Sequence, residues 1–319
     1  MRSKSLIITL VIAALASVLF AVRAQEPGAD DVRGAFLSSR PKTTNANAPS
    51  RRHKPRNTNI NSSAITGKNT NAGKTYAANT NTNNSDNRNA SATAPGHVDI
   101  VGRVGSAQIG QAIGLGYTLF MRDSFGKTVR VEPTREFHNG DSIRISLEPN
   151  VDGYLYVFHT ENDSAAEMIY PDARLDSGDN SIEAHVPFEV PSSEETDERL
   201  RWFTFYGNGG TERLYVVLTR EPLNSIPTRE DLVAFCASNK EKCPWHPPAE
   251  VWSQIQEATK ANVKVVTSNT FGQTETDKEK IATTRGLGLD QSAPQPSVIR
   301  MSVSTTSPLL VTVLDLIHK

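Results

Sequence analysis

The stretch Gly153-Tyr154-Leu155-Tyr156-Val157-Phe158-His159 constrains the fold more than any other part of the chain. Its five middle residues are all apolar or aromatic, so a strand of period two has no polar face here. That is the pattern of a strand buried on both faces and central in a sheet. A turn of buried helix is the rival reading, but seven residues is short for a helix. The β-branched and aromatic content, with Asp152-Gly153 just before it, favours the strand.

Short strands surround this stretch. Tyr117 to Met121 and Thr128 to Val131 flank a turn at Asp123-Ser124-Phe125-Gly126. Between Asp141 and Glu148, Ile143, Ile145 and Leu147 alternate with Ser142, Arg144 and Ser146, as in a half-buried strand. The five-residue connection from Pro149 to Gly153 predicts a hairpin into the central strand. Glu167 to Tyr170, Ser181 to Val186, Phe188 to Val190, Arg201 to Tyr206 and Glu212 to Thr219 continue the pattern, separated by Gly, Pro, Asn and Asp. This is the signature of an all-β fold, an antiparallel β-sandwich.

After Pro222 the period changes. Thr228 and Asp231 have N-cap and N3 spacing, ahead of Leu232, Phe235 and Cys236 on one helical face. A second helix is expected from Pro248, with Trp252, Ile255 and Thr259 on one stripe. Val263 to Thr267 resumes β character, the segment to Pro296 reads as loop, and Leu309 to Ile317 reads as a closing strand. The expectation is one β domain over residues 97–319, with a core at about 115–223, a small two-helix insertion at about 225–262 and the closing strand at 309–317.

The chain ahead of it is of another kind. Arg2 and Lys4 precede the apolar run Leu6 to Phe20, and Val22 and Ala24 are small residues before Gln25. Residues 1–24 therefore read as a signal peptide cut after Ala24, with an uncleaved anchor as the alternative. The absence of a nearby cysteine excludes a lipid anchor on this cut. The mature chain is expected to be exported, periplasmic or extracellular, with no transmembrane segment. Residues 25–96 are rich in Asn and Thr, as in Asn79-Thr80-Asn81-Thr82-Asn83-Asn84, and lack any hydrophobic period. They are expected to form a disordered linker. The net charge of −1 conceals a split, because this linker carries ten basic and four acidic side chains. A weakly basic, Asn-rich stretch is mainly a solvated spacer. The rival is a tail for anionic envelope polymers; a nucleic-acid partner is not expected.

Phe137, Gly140-Asp141, Gly153-Tyr154-Leu155-Tyr156-Val157, Tyr170-Pro171, Gly178-Asp179-Asn180 and Pro187 occur in an order that continues through Gly210-Thr211-Glu212-Arg213-Leu214 and Arg220-Glu221-Pro222-Leu223. Over about Leu115 to Leu223 the chain resembles a bacterial family classified as domain of unknown function 4384. The resemblance implies an exported or accessory domain of the kind joined elsewhere to kinase-like or caspase-like modules, neither of which is present here. It carries no catalytic residues over. The segment from Ser225 to Asn262 looks like a departure from the family core.

Residue patterns for chemistry are sparse. Cys236 and Cys243 are the only cysteines, and behind an export signal they read first as a disulfide. The chain-entropy model assigns a loop this small roughly 2–2.5 kcal/mol. A zinc site with His246 is the rival, but it lacks a fourth ligand. Asp172, Asp176 and Asp179 are spaced for turn hydrogen bonds rather than a calcium loop. Glu194, Glu195, Asp197 and Glu198 read as a solvated acidic loop. The glycines from Gly102 to Gly116 match no phosphate or dinucleotide loop. His159 reads as a structural hydrogen-bonder, and no Gly-x-Ser-x-Gly or His-Glu-x-x-His is present.

No cofactor or metal is called for. Trp202, Thr204 and Tyr206 share one strand face and Phe203 and Phe205 the other; packing of both faces is the first reading, and Trp202 and Tyr206 are the candidate binding face if one of them is exposed. The function expected is a non-catalytic binding or protein-interaction domain at the cell envelope, with an unidentified protein or envelope polymer as partner. The alternative is an exported carboxylate-dependent hydrolase.

Overall fold

A computed structural model describes residues 28–43 and 110–319. The expected signal peptide, and the linker apart from its first part, lie outside these residues. Thirteen strands and four α-helices occur among the described residues. In chain order they are α1 (Ala29–Ser38), β1 (Gly114–Arg122), β2 (Thr128–Val131), β3 (Glu136–Phe137), β4 (Ser142–Pro149) and β5 (Gly153–Glu161). There follow β6 (Glu167–Tyr170), β7 (Ser181–Ile182), β8 (Phe188–Val190), β9 (Phe203–Thr204) and β10 (Gly210–Thr219). The chain closes with α2 (Arg229–Ser238), α3 (Ala249–Ala258), β11 (Val263–Thr267), α4 (Asp277–Arg285), β12 (Val298–Ser302) and β13 (Leu309–His318).

The strands form two sheets. Sheet I runs β11-β12-β1-β4-β8, with β2 also on β1 and β9 also on β4. Sheet II runs β3-β13-β10-β5-β6, with β7 also on β5. The alternation read in β4 aims Ile143, Ile145 and Leu147 into a cluster shared with Leu115 and Leu119 of β1. From sheet II, Leu155, Val157, Leu214, Val216, Leu218 and Leu314 enter the same cluster. Removal of this apolar area from water is the main force holding the sheets together.

Strand β5 occupies the place its composition demands. It is flanked by β10 on one side, with Leu155 opposite Leu218 and Val157 opposite Val216, and by β6 and β7 on the other. Its alternate residues, Tyr156 and Phe158, turn to the opposite face. There they join Tyr215 and Val217 beneath Leu232, Trp245, Val251 and Ile255. The helical insertion is therefore the cover of sheet II, and Trp252 packs edge-on against Tyr215 with centroids 4.6 Å apart. The buried Tyr156 hydroxyl accepts a hydrogen bond from the Leu223 amide at 2.9 Å, which fixes the chain leaving β10.

Several expectations need correction. The connection from Pro149 to Gly153 is not a hairpin, because β4 belongs to sheet I and β5 to sheet II. Loop length alone does not separate a hairpin from an arch that changes sheets. The arrangement is mixed rather than wholly antiparallel, since β3 pairs parallel with β13. The stretches Ser181 to Val186 and Arg201 to Tyr206 shrink to the two-residue strands β7 and β9. Thr228 and Pro248 are the N-cap residues of α2 and α3, but neither makes a side-chain cap bond.

Helices also lie outside the expected insertion. The segment read as loop before Pro296 contains α4, which carries a reciprocal capping box between Thr276 and Glu279 and ends on Gly286 at φ 57°. These are ordinary start and stop signals. They are easily missed because α4 buries little apolar surface, chiefly Ala282. The expectation of a disordered linker from residue 25 fails at its beginning: Ala29–Ser38 is helical and buries Val32 and Phe36 against Val266, Ile299 and Met301 of sheet I. Two apolar residues four apart form too narrow a stripe to be noticed in a polar context.

Candidate functional site

The outward face of sheet I departs most from the sequence expectation. Arg144, Ser146 and Glu148 alternate along β4 with the core residues, which suggests a solvated face. Arg144 and Glu148 are nevertheless buried, as are Arg130 of β2 and Glu189 of β8. A small cleft of about 20 Å³, room for about one water and partly open to solvent, lies here between Thr118, Ser146, Glu148, Pro187, Glu279, Leu289, Pro294 and Pro296. Charges in such a place need partners, and three groups of partners are found.

The first is centred on Glu148. Arg40, just beyond α1, donates from Nε to Oε1 at 2.8 Å and from Nη2 to Oε2 at 2.7 Å. His185 Nδ1 lies 2.8 Å from Oε1. Burial by itself would raise the Glu148 carboxyl pKa, but hydrogen bonds from His185 and Arg40 outweigh it and hold the group below the ordinary carboxylate range. On the far side of the imidazole, His185 Nε2 lies 2.8 Å from Ser39 Oγ.

Ser39, His185 and Glu148 thus have the connectivity of a nucleophile, base and orienting acid. Three features argue against that use. Arg40 already compensates the Glu148 charge, and the Ser39 hydroxyl donates to the Phe36 carbonyl at 2.6 Å. The serine also stands at the C-terminal end of α1, where carbonyl oxygens face outward and disfavour an oxyanion.

The second group is Arg130, which pairs with Glu279 of α4 and donates to Thr118 Oγ1 at 3.2 Å. The other Glu279 oxygen accepts from the Thr276 amide at 3.0 Å and its hydroxyl at 2.7 Å. The two carboxylates that line the cleft are therefore each occupied at both oxygens.

The third group holds a largely buried carboxyl raised well above its ordinary value. Arg144 Nη1 donates to Glu189 Oε2 at 3.2 Å and its guanidinium stacks over the Trp202 ring at 4.1 Å. Beside this pair, burial pushes the Glu275 carboxyl up to about 7, with repulsion from Glu189 adding to it and attraction from Arg144 opposing it. A carboxyl raised on folding binds more protons in the native state, so stability is lost as pH rises from about 4.3 towards 7. Glu275→Gln is expected to leave stability at pH 5 nearly unchanged. At pH 8 it should raise it by about 1–3 kcal/mol. Denaturant titrations at the two pH values test this; parallel profiles for wild type and variant would contradict it.

Cys236 and Cys243 are joined as a disulfide, with Cα atoms 5.2 Å apart. His246 Nδ1 lies instead 2.9 Å from the Ala166 carbonyl oxygen, so the zinc alternative has lost its thiolates. Asp172 is held by Arg174 and Asp179 by Arg229 at 3.0 Å. His159 lies between Glu167 and Glu212, at 3.3 and 2.5 Å, in keeping with a hydrogen-bonding role. In the acidic loop, Asp197 caps a short turn by accepting from the Arg199 amide at 3.0 Å.

Trp202 is half-buried on Arg144, whereas Tyr206 is 76 % exposed. The charged face with Arg40, Glu148, His185 and Glu275 was missed from sequence. The alternation Arg144, Ser146, Glu148 was its one visible trace.

The residues that carry the family resemblance have scaffold roles. Asn180 Nδ2 donates to the Leu155 carbonyl at 3.1 Å, and the Tyr170 hydroxyl donates to the Asp179 carbonyl at 3.2 Å. Gly153 approaches the next strand so closely that a Cβ would stand 2.1 Å from the Thr219 carbonyl oxygen. Comparison with known families agrees: residues 136–222 match the model of a domain of unknown function (DUF4384). That match spans β3 to β10 but omits β1, β2, β11, β12 and β13, which complete the two sheets. No curated protein and no solved structure matches the chain.

Proposed function

We propose that this protein is an exported, non-catalytic binding or protein-interaction module of the cell envelope, built as a β-sandwich on a DUF4384 core. The observation that carries the reading is the state of the cleft, where Glu148 and Glu279 have both oxygens engaged by arginines and other donors. A general acid or base must be free to exchange a proton with substrate, and these two are not. Export is supported by the basic-then-apolar N-terminus and by the Cys236–Cys243 bond. Among the described residues no helix is long and apolar enough to cross a membrane. The contact surface we favour is the segment 198–209, where Tyr206 and Leu200 are exposed beside the half-buried Trp202.

A photo-crosslinker placed at Tyr206 in the mature protein, returned to its own envelope, tests the reading. A discrete adduct that disappears when the crosslinker is moved to Phe125, at the β1–β2 turn, is the expected result. The second reading, a carboxylate-dependent hydrolase, is favoured only by the raised Glu275. Reproducible hydrolysis of an envelope polymer, abolished by Glu275→Gln, would establish it and displace the first.

A further inference from the structure

The segment 28–43 is bound to the domain like a peptide ligand. Val32, Phe36 and Arg40 recur at four-residue spacing and all three are buried, while Gly34, Ala35 and Ser38 between them are exposed. Val32 and Phe36 meet Val266, Ile299 and Met301, and the Phe36 ring stands edge-on to His185, centroids 5.4 Å apart. Gly116 makes room for it, since a Cβ there would lie 3.0 Å from Phe36 Cζ and 2.4 Å from Pro296 Cγ.

Arg40 closes the attachment. Besides its two bonds to Glu148, its guanidinium donates to the carbonyls of Ala293 at 2.9 Å and Pro294 at 3.0 Å. Only 1 % of its side chain is exposed. The Gln291 amide then donates to the Pro41 carbonyl at 3.0 Å. These contacts reach sheet I and the 290–296 segment across more than a hundred residues of sequence. In sequence, 66 residues (44–109) separate Thr43 from Gly110.

We infer that Gly28–Thr43 is an intramolecular ligand of the domain, a helix-and-arginine strap whose docking does not depend on its covalent connection. Apolar anchors at i and i+4 followed by a buried arginine are a helix-in-groove mode of recognition. The bidentate Arg40–Glu148 pair sets its register. Two consequences follow. Thr43 and Gly110, which bracket residues 44–109 in the sequence, then both stand on the same domain. A cut within them leaves the domain attached, non-covalently, to whatever holds the N-terminus.

The test uses the full mature chain with a specific protease site introduced near Asn59. After cutting at micromolar concentration, the N-terminal fragment is expected to co-elute with the domain on size exclusion under native conditions. Separation of the wild-type fragments would overturn the proposal. The cut complex is then challenged with an isotope-labelled peptide of residues 25–43, alone or bearing Arg40→Ala. The wild-type peptide should exchange into the complex, and the substituted one should bind at least 100-fold more weakly. Equal exchange of the two would remove Arg40 as the anchor. Because the substitution lies in the added peptide, the result does not depend on whether a full-length variant folds.

Discussion

Leu155→Asp is expected to abolish cooperative folding or to lower Tm by more than about 10 °C. Leu155 is fully buried between the sheets, opposite Leu218 on β10. Loss of its packing costs about 2–5 kcal/mol. The new carboxyl cannot remain ionised in an apolar layer, so it takes up a proton and leaves a polar group without partners, at about 1–3 kcal/mol more. The sum approaches the whole stability of an ordinary domain. Phe125→Asp is the matched control, because Phe125 is 87 % exposed and a change there should stay within about 0.5 kcal/mol. Thermal unfolding followed by circular dichroism decides the matter. If Leu155→Asp melts with the wild type, β5 is not a central strand.

The contrast between β5 and β4 shows what was legible in the sequence. Apolarity on both faces of β5 announced two covers, and two were found: sheet I on one side and α2 with α3 on the other. The strand between Asp141 and Glu148 announced its inner face equally well. Its outer face misled, because Arg144 and Glu148 look the same in sequence whether water or buried partners compensate them. The difference lies in Arg40, Glu189 and His185, which are remote in sequence and carry no local pattern.

The same holds for the change of sheet at Pro149 to Gly153. A five-residue turn serves a hairpin or an arch, and only the position of β1 beside β4 and of β10 beside β5 decides between them. Local signals failed differently at α1 and α4. Their caps and anchors were present, but too few apolar residues accompanied them to outweigh a polar composition.

Glu148→Gln is expected to destabilise the protein by about 3–5 kcal/mol at pH 7. Its two carboxylate oxygens are the shared acceptor for Arg40 and His185, so the amide leaves two buried donors facing a neutral group with one acceptor oxygen. The order of single variants follows. Arg40→Ala still leaves Glu148 hydrogen-bonded to His185, whereas Glu148→Gln removes the counter-charge of Arg40, which keeps only backbone carbonyl acceptors, together with the carboxylate that faces His185. Glu148→Gln should therefore be the more damaging, and the pair combined should cost less than the sum of the two, since atoms already orphaned cannot be orphaned again. An additive double-mutant cycle would mean that the pair contributes nothing jointly.

The pH dependence has a definite sign. The folded-state Glu148 pKa lies below its unfolded value, so its stabilisation is present above about pH 4.3 and is lost as pH falls through the folded value. Glu275 acts in the opposite sense between about pH 4.3 and 7, because its folded-state pKa is raised. The contribution of these two carboxyls should thus be greatest at about pH 4–5. Glu148→Gln should flatten the acid limb and Glu275→Gln the neutral one, each without altering the other. Loss of both limbs in either variant would mean that the two carboxyls titrate as one network across the outer face of sheet I.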